Sequence, residues 1–125
     1  EVQQGEFQVD RVVEACQKAL AGLPSQYWPN VLDTYGEALI RSKRYLECRG
    51  LLTQYRAVTD QNPELLALLG LAYEGAEEPA NALRTYRQYI ALMDASPPSM
   101  EPRHTRREIE ERIQVLESKR SDSEG

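Results

Sequence analysis

The side chains able to do chemistry are few in this chain, and their spacing does not suit it. His104 is the only histidine, and it sits among Arg103, Arg106 and Arg107 with no cysteine nearby in sequence. That setting reads as a solvated surface residue rather than a base or a metal ligand. Cys16 shares an apolar stripe with Val9, Val12 and Val13, and Cys48 takes a small-residue position on another stripe, so both read as core thiols. No Cys-x-x-Cys or His-Glu-x-x-His supplies metal-ligand spacing, and no glycine-rich loop follows a strand to cradle a phosphate. Glu77-Glu78 and Glu110-Glu111 pair carboxylates, but in a turn and on a wet helix face, where nothing raises a pKa for acid–base work. The expectation is a protein that is not an enzyme, with no catalytic residue, metal site or cofactor.

Binding is the chemistry that remains. Trp28, between Tyr27 and Pro29, is either a ring packed over the start of the following helix or an exposed aromatic anchor. Arg103, Arg106 and Arg107 crowd the first turns of a charged segment, where positive charge opposes the helix dipole. They form either a solvated face offset by Glu108, Glu110 and Glu111, or a contact for an acidic partner or phosphate. A net charge of −5 argues against nucleic acid as the partner.

The elements that must position these residues repeat. Pro63 to Leu92 reads as two short helices, with Leu66, Leu69 and Tyr73 on one face of the first and Ala82, Tyr86 and Ile90 on one face of the second, at spacings of three or four. Gly70 interrupts the first helix at a cost of about 1 kcal/mol against alanine, which suits close approach of a neighbouring helix. Pro29 and Pro63, Gly36 and Gly70, and Tyr55 and Tyr89 are each 34 residues apart, and Pro97 follows Pro63 at the same interval.

A 34-residue unit of two helices resembles the tetratricopeptide repeat. The second unit is similar to the family pattern through Leu66, Leu69-Gly70, Tyr73, Ala82 and Tyr86, and the first through Leu32, Tyr35-Gly36, Leu39, Cys48 and Leu52. The resemblance covers residues 29–96, about half of the chain. It implies an all-α fold, an α-α superhelix of tetratricopeptide hairpins with about six helices and a C-terminal capping helix. Two features depart from the family. Tyr55 and Tyr89 stand where an alanine is usual, filling a gap between units or meeting something outside, and Asp60 and Asp94 replace the closing proline.

In tetratricopeptide proteins the first helices line a concave groove that holds a peptide or helix. Carried over residue by residue, the groove implied here is Asn30, Asp33, Glu37 and Arg41 from the first repeat and Glu64, Ala67, Leu71 and Glu74 from the second. It is acidic with an apolar centre. The implied function is a non-catalytic interaction module, an adaptor or scaffold taking a partner segment with apolar and basic side chains, with Trp28, Arg103, Arg106 and Arg107 as secondary contacts. Family members that grip acidic chaperone tails use lysine, arginine and asparagine at such positions. Asp33, Glu37, Ala67 and Leu71 disfavour that role. The alternatives are a self-assembling or structural segment of a longer solenoid, and a nucleic-acid-associated domain acting through the arginines.

The flanks follow from pattern and composition. Residues 1–28 read as a lead-in helix or degenerate half-repeat, loose over 1–6 and helical from Phe7 to Leu20; residues 29–62 and 63–96 are the two repeats. Their turns, Arg41–Arg44 and Gly75–Glu78, carry opposite charge and are expected to attract weakly. Residues 97–119 read as a capping helix with Ile109, Ile113 and Leu116 as its one apolar edge, and 120–125 as a disordered tail. Hydrophobic residues at 41% against 28% charged place the chain with soluble globular proteins, and no run approaches a membrane span. Glu1 in place of methionine reads as a processed chain or a piece of a longer one. Core thiols point to a cytoplasmic setting, and export or a periplasmic setting stays open because a leader could have been removed.

Overall fold

Every element among the described residues is helical. The structure is a computed structural model that describes residues 2–95 and 106–124, with side chains described for 8–95 and 106–119. In order come α1 (Val2–Gly22), a 3-10 turn at Ser25–Tyr27, α2 (Trp28–Arg41), α3 (Tyr45–Gln54), α4 (Arg56–Thr59), α5 (Pro63–Gly75), α6 (Pro79–Ala95) and α7 (Arg106–Glu124).

Proline and two left-handed residues set the central boundaries. Pro29 lies in the first turn of α2, while Pro63 and Pro79 open α5 and α6, positions where a missing N–H forfeits no intrahelical bond. α2 and α5 stop at Lys43 and Glu77, both with φ of 62° and 34 residues apart. The hydrogen bonds around them repeat residue for residue. Ser42, Lys43 and Arg44 donate back to Ala38, Ile40 and Leu39, and Ala76, Glu77 and Glu78 donate to Ala72, Glu74 and Tyr73. Each αL turn thus collects the last carbonyls of its helix and aims the chain back alongside it. Of the charges at the two turns, Arg44 pairs with Asp10 and Glu47, and Glu78 with Arg49.

Packing follows the same step. α3 and α6 fold back on α2 and α5, α2 and α5 lie side by side, and α5 also packs on α3 as α2 does on α1. α5 is therefore central, and Leu65, Leu66, Leu68 and Leu69 are all 1% exposed or less. Each such leucine contributes roughly 1.5–3 kcal/mol by leaving water. Gly70 lets the buried Tyr86 ring lie against bare backbone, and Gly36 faces Leu68 across α2 and α5. α7 packs on α6 and buries Ile109 and Leu116, with Ile113 half-buried between them.

Three expectations change among the described residues. Seven helices stand in place of about six, because the second helix of the first unit breaks at Tyr55 (φ −102°, ψ 43°) into α3 and α4. The buried Thr59 hydroxyl bonds the Leu52 and Tyr55 carbonyls, and Tyr86 and Tyr89 lie in an unbroken α6. α1 is helical from Val2, and α7 continues to Glu124 through the segment read as a tail; neither stretch holds a proline to stop it. The repeating Pro97 lies outside the described residues.

Candidate functional site

α2 and α5 carry the residues expected to line a groove, and the structure treats the eight differently. On α2, Asn30 and Arg41 are exposed, while Asp33 and Glu37 are half-buried. Arg41 Nε donates to Glu37 Oε1 at 3.1 Å, one turn away. On α5, Glu64 and Leu71 are half-buried. Ala67 is wholly buried, so it cannot line a groove open to a partner as the sequence suggested. α2, α3 and α6 all pack on α5, which leaves it little outward face.

Glu74 also departs from expectation, because the chain itself engages it. Its carboxylate accepts the Tyr86 hydroxyl from α6 and, at 2.8 Å, Arg112 Nη1 from α7. Burial, and then the Glu74 charge, push the Tyr86 phenol well above its ordinary range. Tyr89, fully buried, is pushed up to about 12, first by burial and then by the negative charges of Glu64 and Glu108. The α5 surface therefore continues directly into α7. A recess lined by Glu74, Glu108, Glu111, Arg112 and Val115 lies between them. Sequence spacing gave no hint of Arg112, which sits 38 residues beyond its partner.

The secondary contacts are largely accounted for within the fold. Trp28 packs edge-on against Tyr55, with ring centroids 5.3 Å apart at 80°, and its indole N–H is buried with no acceptor among the described residues. The ring belongs to the packing rather than to an exposed anchor, and it gives Tyr55 a role as gap-filler. Arg106 pairs with Asp94 and Glu110, and Arg107 Nε lies 3.3 Å from Glu111 Oε1. Arg87 pairs with Glu117. These arginines form a face of matched charges. Arg103 and His104 lie outside the described residues.

Other candidate chemistry is sparse. Cys16 and Cys48 are buried, and burial alone raises both thiols, Cys48 to about 12, so neither is poised as a nucleophile at neutral pH. Among the described residues no three His, Cys, Asp or Glu side chains come together as a metal set. A second recess, between the two helix turns, holds Lys43, Tyr45, Gly75 and Glu77 with Leu46 61% exposed at its edge. Leu46 lies off the core stripe and drew no attention in sequence. No helix among the described residues is long and apolar enough to cross a membrane. No protein-family model matches the chain, and no curated protein or solved structure matches it either.

Proposed function

We propose that the chain is a non-catalytic protein-binding module of tetratricopeptide type, and that the joint surface of α2 and α5 takes a partner segment bearing basic and apolar side chains. The observation that carries this reading is the repetition of the helix–turn–helix at 34 residues, down to the hydrogen bonds of each turn, with its two first helices side by side. That arrangement is the one repeat proteins use to present a continuous surface. The two helices carry half-buried Asp33 and Glu37 on α2 and half-buried Glu64 and Leu71 on α5, residue types that complement a cation beside an aliphatic group. The adaptor or scaffold role inferred from the sequence is kept with Ala67 removed and Glu74 shared with α7.

The test is a pull-down comparing the wild-type chain with Glu37→Lys and Leu71→Glu. Both variants should keep their helical circular dichroism and lose captured protein. Capture at wild-type levels by two folded variants contradicts the assignment of the surface. Self-assembly is less favoured, because the outward residues of α1 (Gln8, Arg11, Glu14 and Lys18) and, Val115 apart, of α7 (Arg107, Glu111, Gln114 and Lys119) are polar, as solvated faces require.

A further inference from the structure

We infer that α7 is a displaceable occupant of the chain's own binding surface, with Arg112 standing on Glu74 where a basic side chain of a partner would bind. The inference rests on the reading of the α2–α5 surface given above and concerns its regulation.

The contacts of α7 divide into two kinds. Against α6 it buries an apolar edge, Ile109, Ile113 and Leu116, flanked by the exposed ion pairs of Arg106 with Asp94 and of Arg87 with Glu117. Toward α5 it sends a charge, Arg112, which meets the last carboxylate of the proposed surface. Shielding the end of the stack needs only the apolar edge. The Arg112 side chain is 39% exposed, so water screens its pair with Glu74 and the hold is weak. Glu74 has a second support in the hydroxyl of the buried Tyr86, which keeps the carboxylate in place when the guanidinium leaves. The acceptor is thus built independently of its present occupant.

The occupant also has the chemistry proposed for the partner. Arg112 stands beside Ile113, Val115 and Leu116, a cation next to aliphatic groups. Val115 is 51% exposed at the recess, where Glu108 and Glu111 add two further carboxylates around the one guanidinium. A basic and apolar segment arriving along α2 and α5 therefore competes with Arg112 for Glu74. Its apparent affinity is reduced by the fraction of time that α7 holds the site.

The test uses the whole chain and a fluorescent synthetic amphipathic helix, leucines on one face flanked by lysines, followed by anisotropy. Arg112→Ala should tighten probe binding by about tenfold, within the usual range of coupling between sites. Lys119→Ala makes the same charge change farther along α7, and it should shift binding less than about twofold. Hydrogen exchange should then show α5 amides slowed and α7 amides accelerated when the probe binds wild type. Equal effects of the two substitutions, or α7 amides slowed by the probe, overturn the inference. If Glu37→Lys and Leu71→Glu abolish binding while Arg112→Ala changes nothing, the surface stands and the displaceable helix falls. A wild-type chain that ignores the probe overturns both.

Discussion

Replacing Gly70 with alanine puts the packing of the central hairpin to a quantitative test. A Cβ built there falls 2.8 Å from Cζ and 2.5 Å from Cδ1 of Tyr86, with Cε1 closer still. Ordinary carbon contacts sit at about 3.5–4.0 Å, so the overlap is on the order of 1 Å with three ring atoms. The ring cannot step aside easily, since it is fully buried and its hydroxyl is held by Glu74. Overpacking costs about 1–3 kcal/mol, here near the upper end because three ring atoms are overlapped, and the helix propensity of alanine returns about 1 kcal/mol. A net loss of about 2 kcal/mol is expected. With roughly 2.1 cal/mol/K of unfolding entropy per residue, that lowers Tm by about 8 °C in a chain of this length. Gly36, one period earlier, is the internal control. There the nearest atom is Leu68 Cδ1 at 3.1 Å, the movable end of a side chain, so Gly36→Ala should stay within about 1 kcal/mol of wild type. Thermal melts of the two variants decide the matter. Equal melting temperatures refute the close approach of α6 to α5 at Gly70.

Two further predictions concern backbone and pH. Lys43→Gly and Glu77→Gly should each stabilise the chain by about 0.5–1 kcal/mol in urea titrations, because a β-carbon is disfavoured at their φ of 62° and glycine relieves it; destabilisation by both would contradict the shared turn geometry. Stability should also fall at alkaline pH. Cys48 is neutral in the fold with its thiol raised to about 12 from 9.0, and Tyr89 is raised to about 12 from 10.0, so the unfolded chain loses these protons first. Their contribution is intact below pH 9 and drains away between 9 and 12, with Cys48 accounting for up to about 4 kcal/mol. The urea midpoint of wild type should begin to drop just above pH 9, and that of Cys48→Ala should fall less steeply from there, with the raised Cys16 thiol still contributing; identical profiles would show that the Cys48 thiol does not remain buried.

Much of the hairpin architecture was legible because its cause is local. Leu66, Leu69, Tyr73, Ala82 and Tyr86 announce their burial by spacing, and all are buried. Gly70 signals close approach by breaking a helix preference, and Tyr86 is what approaches. What escaped depends on residues distant in sequence. Ala67 looks wet on a two-faced helix, but α5 has helices on several sides and no such outward face at that position. Glu74 finds Arg112 at a separation no short-range pattern encodes. At the break at Tyr55 the Thr59 hydroxyl, seven residues beyond Leu52, donates to the Leu52 carbonyl, a bond that helix periodicity does not announce. At the chain's flanks, polar composition suggested looseness, but polarity does not forbid a helix where no proline intervenes.

The most direct test of the central claim is a comparison of surface charge reversals in folded protein. Asp33→Lys and Glu37→Lys change half-buried carboxylates of the α2–α5 surface, and Ala91→Lys adds the same sign of charge at an exposed position on α6. Binding of the basic amphipathic helix should fall at least about tenfold, or 1.4 kcal/mol, in each of the first two and remain near wild type in the third. Equal loss in all three, or none in any, would contradict recognition by α2 and α5.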